Sequence, residues 1–191
     1  MFPYLELIAK ANSKSHFDFE VAEAYWHGSE LLEKVKFNDW KKTVLKIGEN
    51  SGWGKKITEK YVSFINQSLL PHHSFHVLAS SISTISETEI MLEKINNCLI
   101  GWGRVLNAEE KELVVERKPI ILGNEGFEFG VSTFEKMKNT AFESSKKIVE
   151  CEKGDWVSMH WGFACKRLEK DEVQALEEFT KRNLEKFKMH S

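Results

Sequence analysis

The sequence predicts an α+β fold: a helical N-terminal domain followed by a small OB-like β-barrel that ends in an amphipathic helix. Two observations carry this reading. Apolar residues recur three and four apart from Pro3 to about Asn96, and from Asn97 onward the period shifts to two. Beyond that point, short β-branched or aromatic runs alternate with turn residues at the close spacing of a small barrel. The division therefore falls at 1–96 and 97–191.

In the first half, Phe17, Val21, Ala24, Gly28, Leu31 and Val35 form one apolar stripe, which predicts a single helix across all of them. Asp18 and Glu20 near its start and Lys34 and Lys36 near its end suit the helix dipole. A second helix is expected over 39–47, after which Gly48, Gly52 and Gly54 break the pattern. Helical spacing resumes over 55–70, Pro71 stops it, and one further short helix precedes Asn96-Asn97.

In the second half a strand is expected over 99–106, with a turn at Asn107-Ala108-Glu109. Leu113-Val114-Val115, Ile120-Ile121-Leu122 and the alternating Phe127, Phe129 and Val131 read as further strands. Ile148-Val149 and 156–159 flank a turn at Glu152-Lys153-Gly154-Asp155, whereas 134–145 reads as a long loop or a short helix. Val173, Leu176, Phe179, Leu184 and Phe187 share one arc and predict the closing helix, with Asp171 as its cap or first-turn carboxylate.

Composition narrows the function. An apolar content of 41% with 29% charged residues is that of an ordinary globular protein. A net charge of −2 and a pI near 6.4 supply no basic field, so nucleic acid is not an expected partner. No apolar run approaches the roughly 20 residues of a membrane helix, and Met1-Phe2-Pro3-Tyr4-Leu5-Glu6 lacks the basic start of a signal peptide. Three cysteines at unpatterned spacing make no disulfide framework, so a reducing cytoplasm is the expected setting.

Two motifs bracket the expected barrel. The first is Cys98-Leu99-Ile100-Gly101-Trp102-Gly103-Arg104-Val105. The second is Gly154-Asp155-Trp156-Val157-Ser158-Met159-His160-Trp161-Gly162-Phe163-Ala164. In this order, and followed by an amphipathic helix, they resemble the HypC/HupF-type chaperones of NiFe-hydrogenase assembly. Those small barrels open on Met-Cys-Leu with a later Gly-Lys-Val, then carry Gly-Asp-(Tyr/Trp)-Val and His-x-Gly-Phe-Ala. The resemblance covers the last half of the chain. It implies a HypC-like barrel that binds a HypD-like scaffold protein and escorts an iron group bearing cyanide and carbon monoxide to the precursor of the hydrogenase large subunit.

Carried over by position, the family's working cysteine and histidine fall on Cys98 and His160. A thiolate is a soft ligand suited to iron with π-accepting ligands, and a neutral imidazole can ligate or orient. Trp102, Trp161 and Phe163 are the expected partner contacts. The chain departs from the family in three ways. Cys98 is internal, so no free amino group lies beside its thiol. Trp102 stands where a Pro is usual, and Cys165 stands where the family has an aliphatic residue. Cys165 is expected to pack against the tail helix.

The histidine-rich stretch Pro71-His72-His73-Ser74-Phe75-His76-Val77 stands apart from that resemblance. If helical, His72 and His76 lie one turn apart on one face, a spacing that can bind zinc, nickel or iron, with His73 adjacent. His27, Glu23 and Glu30 are possible additional ligands, and a solvated helix face is the plainer reading of all of them. Two rivals to the chaperone reading follow. One is a small enzyme using Cys98 and His160 as nucleophile and base, or a metal bound by His72, His73 and His76. The other is an interaction adaptor built on a HypC-derived barrel that no longer carries cargo.

Overall fold

The computed structural model describes residues 2–50, 52–65, 69–141 and 146–187. Among these, seven α-helices, a 3₁₀ turn, a closed five-stranded barrel and a two-stranded hairpin account for the regular structure. No helix among the described residues is long and apolar enough to cross a membrane.

Helices α1 (Phe2–Ala11), α2 (Phe19–His27), α3 (Phe37–Asn50), α4 (Lys55–Ser63), α5 (His73–Thr84) and α6 (Thr88–Cys98) come first. Their apolar faces meet in one core, with Tyr4, Ile8, Tyr25, Leu32, Val44, Tyr61, Phe75, Leu78 and Ile95 all nearly or fully excluded from solvent. Trp40 packs edge-on against Phe75 at 4.6 Å between ring centroids.

The single helix expected over the Phe17–Val35 stripe is two pieces. α2 ends at His27, and a 3₁₀ turn, Glu30–Leu32, follows with Ser29 as its side-chain cap. Gly28 makes the break, with φ at +92° and a Cβ position lying 2.1 Å from Phe179 Cδ2. Only glycine suits both the conformation and the space. Gly48, expected to end a helix, instead lies inside α3. A Cβ there would meet Thr58 at 2.5 Å, so its missing side chain lets α3 and α4 close up. The helix expected over 55–70 stops at Ser63, and 66–68 lie outside the described residues.

The barrel is built from β1 (Gly101–Ala108), β2 (Glu112–Arg117), β5 (Thr133–Lys138), β6 (Trp156–His160) and β7 (Phe163–Leu168), closing in the order β1-β2-β5-β7-β6. All pairings are antiparallel except β5 with β7. Val105, Leu113, Val115, Met137, Val157, Met159 and Ala164 fill its interior. The segment expected to be loop or helix is thus partly a barrel strand, β5, while 142–145 lie outside the described residues. Ile148-Val149 forms no named strand. Asn139 pins it to the barrel through two 2.9 Å bonds with the Val149 backbone.

A hairpin of β3 (Ile120–Gly123) and β4 (Gly126–Phe129) leaves the barrel and joins the helices. Asn96 grips its edge, donating to the Ile120 carbonyl and accepting from the Ile120 N–H, both at 2.8 Å. Ile120 and Phe127 thereby enter the helical core. Helix α7 (Lys170–Leu184) starts on a capping box between Glu169 and Glu172, with Asp171 in the first turn. It spans both halves. Val173 and Leu176 pack with Ile100 and Leu168 at the barrel, and Leu184 and Phe187 enter the helical core.

Replacing Gly28 with alanine forces an L-residue into a left-handed conformation and drives a methyl into Phe179. The Gly28→Ala chain is expected to lose about 3 kcal/mol of unfolding free energy in urea, whereas Gly54→Ala, with open space around it, is expected to lose little.

Candidate functional site

Cys98 is the last residue of α6, so its carbonyl is one of the helix-end acceptors left without an intrahelical donor. His73 uses it: its Nε2 lies 2.8 Å from the Cys98 oxygen, and the His160 ring stands beside that of His73. One imidazole comes from the helical layer and the other from the barrel. Their centroids are 5.8 Å apart, and Trp26 touches both, at 4.3 Å from His73 and 5.6 Å from His160.

The β1–β6 register explains why this end of the barrel arrives here. Gly101 pairs with Met159, so His160 is carried to the level of the residues just after Cys98. The next two residues, Trp161 and Gly162, form the β6–β7 turn between the paired His160 and Phe163. Both have positive φ, 52° and 73°, the pattern of a type I′ turn. The Trp161 N–H donates to the Asn97 carbonyl at 2.9 Å, a second tie between the barrel tip and the end of α6. Asparagine or glycine would adopt this conformation more easily than tryptophan. The Trp161 side chain is nonetheless 56% exposed.

Burial sets the electrostatics. Desolvation pushes the Cys98 thiol above its usual range, with the Lys94 ammonium pulling weakly the other way. The thiol is partly exposed and packs against the helical core, and the carbonyl is the atom that meets His73. Desolvation also lowers His160, opposed by the Cys98 carbonyl, so its imidazole is neutral at pH 7. A neutral ring carries one N–H and presents a lone pair on its other nitrogen.

The clustered histidines diverge. His72 lies outside the helix as the N-cap of α5, its Nδ1 meeting the Ser74 backbone N–H at 3.3 Å, and its ring packs against Phe179. His73 sits between Tyr25 and Trp26, with Nδ1 3.3 Å from the Tyr25 hydroxyl. His76 Nδ1 is 2.7 Å from the Tyr61 hydroxyl, which in turn bonds Tyr4 at 2.8 Å. The helical spacing expected of His72 and His76 therefore does not bring them to one face, because Pro71 leaves His72 one residue short of the helix. Among the described residues, no three His, Cys, Asp or Glu side chains stand in metal-holding range.

The aromatic residues divide as well. Trp102 is half-buried and meets Phe129 edge-on at 5.5 Å, while Phe163 lies under the Lys138 ammonium, 5.5 Å from its ring centre. The sequence reading gave no special weight to Trp26, which organises both imidazoles, or to a cleft of about 490 Å³ beside His160. Phe19, Ala22, Trp26 and Ile100 wall that cleft, and His27, His160, Cys165 and Lys166 line it. Cys165 faces this cleft instead of the tail helix. The Lys166 ammonium is held by Glu23 and Glu172.

The buried histidines make stability depend on pH. Burial drives His72 down to about 3 and His76 to about 4, and holds His73 well below its ordinary value. Folded-state values below the unfolded 6.5 mean that stability is complete above about pH 6.5 and is lost as pH falls toward 4. The unfolded chain binds the extra protons across that window. Each histidine contributes a slope of about 1.4 kcal/mol per pH unit. Urea unfolding between pH 7.5 and 4.5 is expected to follow this trend, and His76→Gln is expected to make the slope shallower by about that amount.

No curated protein matches the chain, and no solved structure does. A family model does match, over residues 1–190, so the chain belongs to DUF6390, a family of unknown function.

Proposed function

We propose that this chain is a non-enzymatic accessory factor for metalloenzyme maturation, whose barrel rim at Cys98 and His160 receives and hands on an iron group. By the resemblance of its second half to HypC-type chaperones, the cargo would be iron bearing cyanide and carbon monoxide. The donor would be a HypD-like scaffold and the acceptor the precursor of a NiFe-hydrogenase large subunit. Residues 1–96 would recognise the client or replace part of the usual partner.

The observation that carries this reading is the placement of His160. Its imidazole, neutral at pH 7, stands at the edge of a cleft and meets Trp26 and His73 edge-on. A neutral imidazole at an accessible edge is a ready metal ligand. A carrier must also release its cargo, and a site with few protein ligands leaves coordination positions open for a partner. The barrel topology supports the OB-like assignment: in chain order its strands close as first, second, third, fifth, fourth, with the third and fifth parallel. Trp161 supports a partner surface, since an aromatic ring is held exposed at a turn whose conformation disfavours it.

The test is metal analysis with infrared spectra on protein purified without oxygen from its own host. Wild type is expected to carry iron with cyanide and carbonyl stretching bands, and His160→Ala to retain less than about a tenth of it. Wild type without iron or bands, even when isolated with its partners, would overturn the carrier reading and favour the adaptor. Trp161→Asn is a second check. It relieves the turn, so the free chain is expected to gain about 1 kcal/mol in urea unfolding. Partner capture is expected to weaken more than about tenfold. Loss of stability together with capture would make Trp161 structural only.

A further inference from the structure

The β6–β7 ladder carries an irregularity. Ser158 pairs with Lys166, and the next residue, Met159, pairs with Ala164. Cys165 is therefore the surplus residue of a β-bulge, a device that re-aims side chains and is enriched beside functional sites. Ala164 points into the barrel and is fully buried. Strict alternation would send Lys166 inward too. The bulge instead puts Cys165 and Lys166 side by side on the outer face, toward α2.

The cleft they share with His160 is chemically specific. Its walls are apolar. The Lys166 ammonium is already satisfied by two carboxylates, so it offers no open cationic site for an anion. The Ser158 hydroxyl donates toward the Lys166 carbonyl and lies 3.3 Å from His27 Nε2. That arrangement leaves His27 Nδ1 buried and without a hydrogen-bond partner among the described residues. Cys165 and His160 line this cleft together, and the Cys165 thiol lies 3.5 Å from the carbonyl of Phe163, the residue paired with His160. The Cys98 sulfur is not among the groups lining this cleft; it leans on the helical core.

We propose that this cleft is a soft-metal site in which the Cys165 thiolate and the His160 imidazole are the protein ligands, and from which the Cys98 sulfur is excluded. The assignment deepens the carrier reading by naming the sulfur that would face the cargo, and it rests on that reading only for the cargo's identity. Binding a divalent ion M²⁺ forms one sulfur–metal and one nitrogen–metal bond, and the Cys165 proton is released to solvent without any change of oxidation state. Because no third ligand stands in range among the described residues, the remaining positions stay open to the cargo's own ligands or a partner's.

Cadmium(II) is the probe, added to the reduced full-length chain, because a cadmium–thiolate bond gives an ultraviolet charge-transfer band. Wild type is expected to saturate at one equivalent with release of one proton. Cys165→Ala is expected to abolish the band, His160→Gln to weaken binding more than about tenfold, and Cys98→Ala and Cys151→Ala to leave it intact. Urea unfolding of each variant checks that it folds. No band in wild type at stoichiometric cadmium, or a band that survives Cys165→Ala, would overturn the site. Loss of the band in a folded Cys98→Ala chain would overturn the exclusion of the Cys98 sulfur from the site. A chain that binds cadmium through Cys165 yet brings no cyanide bands from its host keeps this site and loses the carrier reading. Native bands that survive Cys165→Ala keep the carrier and lose the site.

Discussion

The end of helix α6 is where the two halves of this molecule are held in register. The helix stops at Cys98, which frees its last carbonyl oxygens, and a donor from each half answers: His73 Nε2 at Cys98 and the Trp161 N–H at Asn97. An unsatisfied buried acceptor costs about 1–3 kcal/mol, so the helix end needs donors. The other nitrogen of His73 turns to Tyr25, and the His160 ring, one residue before Trp161, stands at the cleft. One helix end thus couples the packing of the helices to the chemistry available at the barrel rim.

Around that point the apolar cores are arranged to prevent slippage. Leu99 belongs to the helical core and Ile100 to the seam under α7, so the two residues after Cys98 are anchored on opposite sides. Trp26 fills the space between the seam and both imidazoles. The tail adds Leu184, at the end of α7, and Phe187, just beyond it, to the first half, and Val173 and Leu176 to the second. Phe179, between these groups, presses on Gly28 and decides where α2 must stop. A change at the far end of the sequence is therefore felt in the helix that walls the cleft.

Much of this architecture is legible in the amino-acid order, and the exceptions have physical causes. Strands β2 and β6 announce themselves because Leu113 with Val115, and Val157 with Met159, point to one interior. Strand β5 does not, because Met137 is its one buried residue and Phe134 is 69% exposed. It is a strand by virtue of its continuous pairing with β2, from Arg117 opposite Thr133 to Glu112 opposite Lys138. Leu99-Ile100 reads as the start of a strand because a short apolar run fits either structure; here the pair follows a helix end and bridges two cores. The motifs that carry Cys98 and His160 are legible, but the meeting of His73 with the Cys98 carbonyl is not, because a backbone atom leaves no mark on residue identity. Cys165, expected against the tail helix, lines the cleft instead for a similar reason, since a bulge is a property of two strands in register and not of either alone.

The turn at Trp161 completes the logic of the rim. A two-residue hairpin with both φ angles positive is the tightest way to reverse β6 into β7, and it keeps His160 paired with Phe163 at the strand end. A longer loop would relieve the tryptophan but would let His160 swing away from Trp26. The Trp161 N–H bond to Asn97 offsets part of the conformational cost and ties the turn to the same helix end that His73 addresses. The strain is thus tolerated where it fixes two neighbouring side chains at once: an imidazole aimed at the cleft and an indole held out to solvent.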